Sequence, residues 1–327
     1  MSESVAHNHL TEHQFPPGQV TQGQRGGSAG AGSGRRRRKV HKDSKGWVFV
    51  GPFLAVFALT FLAPIGYAIY LSLYRNQAFF GGNVFVGLDN YTEALQDPKF
   101  WEAFGRVAVF LVVQVPIMLI LALLAALAID SARLHAAGFF RIVIFLPYAV
   151  PGVVAVLMWG YIYGNNFGLA ANLNDLFGTN AIQPLSSHWM LPSIANIVTW
   201  EFVGYNMLIF FSALRTVPGE LYEAAAIDGA GTFRTIRAVK LPALRGAIVI
   251  ATIFSIIGSF QLFNEPNILR TLAPNVITTY YTPNMYAYNL SFAGQQFNYS
   301  ATIAIVMGVI TAIIAYVVQL RGSREAL

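Results

Sequence analysis

The chain has 327 residues, of which 55% are hydrophobic and 11% charged, with a net charge of +6 and a mean hydropathy of +0.52. Soluble domains carry about 25% charged residues, so this composition belongs in a lipid bilayer. The absence of cysteine excludes disulfides, thiolate catalysis and Cys-based metal sites, and leaves the compartment open.

Residues 1–46 are rich in Gly, Gln, Ser and His and end in the basic run Arg35, Arg36, Arg37, Arg38, Lys39, Lys42 and Lys45. They hold too few apolar side chains to bury anything, which predicts a disordered tail. The next apolar segment, 27 residues long, exceeds the roughly 7 to 15 of a secretory core. A lipid-binding patch is one reading of the basic run; a topology signal that keeps this end in the cytoplasm is the reading adopted.

Six segments are long and apolar enough to span: 47–73, 107–129, 142–163, 189–214, 246–263 and 299–320. The predicted fold is all-α and polytopic, with a transmembrane domain over 47–321 and a short tail over 322–327. With the N-terminus inside, 17 of the 21 Lys and Arg residues fall on the cytoplasmic side, and Arg75, Lys99, Arg106 and Arg270 fall outside. That asymmetry obeys the positive-inside rule and places both termini and the 215–245 loop in the cytoplasm. Basic residues scattered this way form no single face, which argues against nucleic acid.

The outer segment FVGLDNYTEALQDPKFW, beginning at Phe85, reads as an amphipathic or turn-rich cap. Pro116 interrupts the second span, and Pro147 and Pro151, four apart beside Gly152, interrupt the third. Each removes a helical hydrogen bond, so kinks are expected there, as packing geometry or as a gating hinge.

The 215–245 loop contains EAAAIDGAGTFRTIRAVKLP, beginning at Glu223. A helix is predicted from about Pro218 to Ile227, with Glu220 and Glu223 suited to its positive end. Gly229 and Gly231 supply a turn, Thr232 caps a second helix through Thr235 to Val239, and Leu241 and Pro242 stop it.

No catalytic apparatus is visible. None of the five lysines follows glycine, so there is no phosphate-binding GK loop, and the six histidines show no metal spacing. The chain is read as a non-enzyme with no bound cofactor or metal. What remains is a path across the membrane. Glu201, the one ionisable residue inside a predicted span, shares a helix face with Tyr205, next to Asn206. Gln261, Asn264 and Glu265, spaced by three and four and flanked by Phe260 and Phe263, are expected to share a face at the end of the fifth span. Amides and carboxylates beside aromatic rings suit a sugar, although amides also bind helices together and Glu201 could pair with a companion subunit.

The spacing of Glu223, Ala224, Ala225, Gly229, Val239, Leu241 and Pro242 resembles the EAA loop of importer-type ABC permeases, with Val239 where that family usually has Ile. The cap from Phe85 and the SFQLFNEP stretch are similar to carbohydrate-importer permeases of the maltose and glycerol-phosphate type. The family's Thr-Gly-Gly-Pro turn is replaced here by Arg270, Thr271, Leu272, Ala273 and Pro274. The resemblance implies an inner-membrane permease subunit that imports a carbohydrate, an oligosaccharide, by alternating access. It also implies a second permease forming a heterodimer, an extracytoplasmic binding protein, and two ATPase subunits that bind ATP and Mg and receive the loop of Glu223, Ala224, Ala225, Asp228, Gly229, Leu241 and Pro242. A permease for another polar solute and an ion-coupled secondary transporter are the alternatives.

Overall fold

The computed structural model describes residues 45–76, 82–131 and 134–324. The predicted tail over 1–46 lies, up to residue 44, outside the described residues, as do Arg133 and the last three residues of the predicted C-terminal tail. The chain divides into two units, Met1–Phe53 and Leu54–Leu327. Residues 45–53 of the first belong to the helix α1 (Lys45–Phe57).

In the second unit a π-helical turn at Ala58–Leu62 leads into α2 (Ala63–Ser72). A short hairpin, β1 (Tyr74–Asn76) with β2 (Asn83–Phe85), precedes α3 (Asp89–Gln96). This is the cap expected at Phe85, and side-chain chemistry explains it. The buried Asn90 donates to the carbonyls of Ser72 and Tyr74 at 2.9 and 2.8 Å, and Tyr91 meets the Ser72 hydroxyl at 2.6 Å. The end of α2 thereby gains partners for carbonyls that a helix terminus leaves open.

α4 (Pro98–Ile129) is the central helix. Asp97 caps it by accepting from the Lys99 N–H at 2.9 Å, and Pro98 suits its first turn. The predicted second span began at 107, but the helix starts nine residues earlier and carries Lys99 and Arg106. Its 32 residues run about 48 Å, longer than the ~30 Å hydrocarbon core, so its outer turns project beyond it. One face of α4 packs into three buried clusters: Phe110 with Ile194, Ile197 and Leu269; Phe100 and Val107 with Phe260 and Ile303; Ala122 and Ala126 with Met207, Phe210 and Leu244. The opposite stripe, Val113, Ile117, Ile120, Leu121 and Leu124, is exposed, as a lipid-facing surface requires. Lipid is as apolar as these side chains, so close packing at small residues such as Ala122 and Ala126 is what holds the helices together.

The third predicted span is corrected by the structure. Instead of one helix over 142–163 there are α5 (Ala137–Phe145), a 3-10 turn at Leu146–Ala149 and α6 (Gly152–Ile162), with a 95° bend between the two halves. Val150, forced away from helical geometry by the proline after it, sits at ψ 130°. Two prolines four apart therefore break the helix where a kink was expected.

α7 (Leu169–Phe177) lies in the loop before α8 (Met190–Leu214), which matches the fourth predicted span. The hairpin helices α9 (Gly219–Ile227) and α10 (Thr232–Thr235) follow, then α11 (Leu241–Phe260), α12 (Asn264–Leu269), α13 (Pro283–Phe292) and α14 (Phe297–Arg324). The fifth predicted span ends three residues early, at Phe260. Among the described residues five helices are long and apolar enough to cross a membrane, and six if the bent pair is one span.

Candidate functional site

A cavity of about 410 Å³ lies between α4, α8, α11 and the break before α12. Its volume falls within the range of small-molecule sites. Gln114, 2% exposed, reaches it from α4 and donates to the Thr199 hydroxyl at 3.2 Å. α8 contributes Val198, Phe202, Tyr205 and Asn206, and the Asn206 amide donates back to the Phe202 carbonyl at 3.0 Å. Tyr148, carried by the 3-10 turn of the bent pair, stacks on Tyr205 with centroids 4.9 Å apart and closes one wall.

Gln261, Asn264 and Glu265 all line this cavity, but not from one helix as predicted. α11 ends at Phe260, and Asn264 and Glu265 open α12. The cause is both local, through Pro266, and tertiary. Thr282 donates its hydroxyl to the Leu262 carbonyl at 2.9 Å, and the Asn284 amide donates to the Gln261 carbonyl at 3.2 Å. Side chains about twenty residues onward thus hold the two carbonyls at the break, and that of Leu262 could have found no donor in a continued helix, since Pro266 stands four residues on.

Five of the six predicted path residues line the cavity; Glu201 does not. It is 5% exposed and lies against the start of α6, where a Cβ added to Gly152 would lie 3.4 Å from its Oε1. Among the described residues its Oε2 has no hydrogen-bond partner, and it interacts electrostatically with Glu265. Sequence reasoning missed Gln114 and Tyr148, although each carried a signal: an amide inside an apolar run two residues before Pro116, and a tyrosine between Pro147 and Pro151.

The second feature is the hairpin between α8 and α11. α9 starts after Pro218 and has no buried residue. Glu223, Ala224, Asp228 and Gly229 are exposed, Ala225 is half-buried, and Gly229 has φ 68°, the left-handed conformation that glycine adopts without strain. Leu221, Ile227 and Phe233, 50%, 87% and 78% exposed, add an apolar surface to this polar segment. Two expectations are corrected. Gly231, not Thr232, is the residue before the second helix, and no side chain caps it. Leu241 and Pro242 do not stop that helix. A π-turn at Ile236–Lys240, closed by the Leu241 N–H on the Ile236 carbonyl, accommodates Pro242 at the first turn of α11, and the helix continues. Leu241 is half-buried and Pro242 exposed.

An ion pair ties this hairpin to α4. Lys240 Nζ meets Asp130 Oδ2 at 2.5 Å, with side chains 14% and 12% exposed, and lies 5.7 Å from the centroid of the Tyr222 ring. Burial, and then the charge of Asp130, push the Tyr222 hydroxyl upward against the opposing Lys240. At the other end of α4, Asp97 accepts from the hydroxyls of Tyr286 and Tyr299 at 2.6 and 2.9 Å, joining α13 and α14 to the helix. Partial burial pushes Asp97 up, but these bonds and those from the backbone outweigh it and hold the carboxyl below its ordinary value.

Residues 94–322 match the family model of the binding-protein-dependent transport system inner membrane component. The chain belongs to this family. The match begins within α3, so α1 and α2 precede the shared part. This permease is 32% identical over 310 residues to the diacetylchitobiose uptake system permease protein NgcF of Streptomyces coelicolor, covering 89% of this chain and 86% of that one. It is 31% identical over 302 residues to the lactose transport system permease protein LacF of Rhizobium radiobacter, covering 90% and 99%. Its fold is that of a chain in the crystal structure of a bacterial ABC transporter that imports alginate, with a TM-score of 0.74 at 18% identity over 86% of this chain and 98% of that one. The permease is therefore a multi-pass inner-membrane component of an ABC importer and a transport protein, and membership sets aside the ion-coupled secondary transporter.

Proposed function

We propose that this permease forms one half of the membrane path of an ATP-driven importer for a carbohydrate, an oligosaccharide. The observation that carries the reading is the cavity, where the side chains of Gln114, Asn206, Gln261, Asn264 and Glu265 stand beside the rings of Tyr148, Phe202 and Tyr205. Amides and carboxylates hydrogen-bond hydroxyls, and rings cover the C–H face of a sugar. The relatives support the same class, since one is named for diacetylchitobiose and the other for lactose uptake.

In this reading the chain pairs with a second permease, receives its solute from an extracytoplasmic binding protein, and keeps both termini and the hairpin in the cytoplasm. Two ATPase subunits bind ATP and Mg; this chain binds neither cofactor nor metal. Glu223, Ala224, Ala225, Asp228 and Gly229, together with exposed Leu221, Ile227 and Phe233, dock on an ATPase, and Leu241 and Pro242 join the docked hairpin to α11. Tyr205, Asn206, Gln261, Asn264 and Glu265 line the solute path, and Glu201, buried on α8, acts on it from outside the lining. ATP-driven movement of the hairpin switches the cavity between its two openings.

Affinity purification from membranes tests this, comparing the intact chain with a Glu223→Lys, Gly229→Asp variant. The intact chain should bring down a second permease and an ATPase. The variant should keep the permease and lose the ATPase, with uptake of radiolabelled oligosaccharides reduced at least tenfold. Absence of any ATPase with the intact chain, under conditions that preserve membrane complexes, refutes the reading.

A further inference from the structure

We infer that the cavity acts as a charge filter, admitting neutral and cationic solutes and rejecting anionic ones such as uronic-acid oligomers. The inference rests on the cavity being the solute path. Its polar lining consists of amides, hydroxyls and the carboxylate of Glu265, and none of its lining residues is Lys, Arg or His. A second carboxyl group, that of Glu201 on α8, is nine-tenths buried, with one oxygen unpartnered among the described residues and Glu265 as its electrostatic neighbour.

Several cations on or beside the surrounding helices have partners of their own. Arg106 pairs with Glu102 at 2.7 Å and donates to the Tyr281 carbonyl at 2.8 Å. Lys240 is held by Asp130, and Arg141 lies over the Phe211 ring. An anionic sugar entering this cavity leaves water, meets carboxyl groups and finds no cationic side chain among the described lining residues, a costly arrangement for a buried charge. A neutral sugar exchanges its water hydrogen bonds for amides at no such cost, and an ammonium group gains the carboxylates.

The chain has no cysteine, so a single introduced thiol reports on the cavity without background from this subunit. Ser255→Cys and Gly258→Cys both place it in the lining, and a Cβ at Gly258 meets nothing within 4 Å. Two positions guard against one variant failing to fold. The assembled complex in nanodiscs is treated with a trimethylammonium and with a sulfonate methanethiosulfonate reagent. Labelling is read as mass gain of this chain, so that partner cysteines do not enter, and each rate is divided by that on a small free thiol.

The cationic reagent should react at least tenfold faster at both positions, and Glu201→Gln with Glu265→Gln should bring the ratio to within about threefold. Equal rates, a faster anionic reagent, or a ratio unmoved by removing both carboxylates overturns the filter. Since no sugar enters this assay, failure of the carbohydrate reading is seen separately, as unchanged oligosaccharide uptake in a deletion strain.

Discussion

Removing one partner of the Lys240 and Asp130 pair should free the hairpin from α4. Both side chains are less than 15% exposed and the charged atoms are 2.5 Å apart, so Asp130→Asn leaves a nearly buried ammonium without its anion. Breaking a buried pair costs about 3 to 5 kcal/mol, and the residual solvent access here places the cost near 3. At 1.4 kcal/mol per tenfold, the population with the hairpin undocked rises about a hundredfold. Arg234 and Arg237 are exposed on the segment released, so limited trypsin digestion in nanodiscs reads this population, provided closing is faster than cleavage. Lys240→Met should match Asp130→Asn in cleavage rate, and both should weaken coupling of ATP hydrolysis to uptake. The exchange Asp130→Lys with Lys240→Asp restores a pair and should recover at least tenfold of the protection. Single variants that are cleaved at the wild-type rate refute the latch, and an exchange no better protected than the single variants refutes charge pairing as its basis.

Two further outcomes follow from the packing. Asp97 is held below its ordinary value, so its contribution to stability is complete above the unfolded value of about 3.9 and is lost as pH falls through the lower folded one. Unfolding temperature in detergent should therefore lose this contribution only below about pH 4. Asp97→Asn should cost about 1 kcal/mol at pH 7 after solvent screening and remove that acid limb; an unchanged acid limb counts against the Asp97, Tyr286 and Tyr299 cluster. Gly204 sits where α8 touches α5: an added Cβ would overlap the Ile144 carbonyl oxygen and lie 2.7 Å from the Phe145 Cα. Gly204→Ala should destabilise by about 2 kcal/mol or more, since backbone must move, while Gly258→Ala, with open space around it, should not. Equal unfolding temperatures for the two would contradict the close approach.

What the sequence made legible depended on local composition. The six apolar runs, the first hairpin helix and the turn at Gly229 each follow from hydropathy, a terminal proline or a left-handed residue, and each is present. The features it hid are set by residues far along the chain. Pro147 and Pro151 announce a disturbance, but its 95° angle depends on Gly204 giving room to the Ile144 carbonyl sixty residues before it. At the end of α11 Pro266 was a legible breaker, four residues after Leu262, but the hold of Thr282 and Asn284 on the Leu262 and Gln261 carbonyls comes from outside. At Pro242 the local rule for proline pointed to a stop, and the π-turn removed the clash behind that rule. Asp130 and Lys240, 110 positions apart, offered no pattern at all.

These same departures connect the hairpin to the cavity. α8 enters the hairpin and α11 leaves it, and both line the cavity, through Val198, Phe202, Tyr205 and Asn206 on one side and Phe254, Ser255, Gly258 and Ser259 on the other. Had Leu241 and Pro242 ended the second hairpin helix, the hairpin would join α11 through a flexible corner, and its movement would dissipate there. The π-turn instead passes helical hydrogen bonding into the twenty residues of α11, about 30 Å of continuous rod, and that rod ends at Gln261 on the cavity wall. The rod stops where Thr282 and Asn284 hold the carbonyls of Leu262 and Gln261, so Asn264 and Glu265 can turn relative to it without straining α11. In the proposed reading, a lever rigid at the hairpin and jointed at the cavity would convert docking of a partner into rearrangement of the polar lining. One uninterrupted helix through Glu265 would only have carried those side chains along with it.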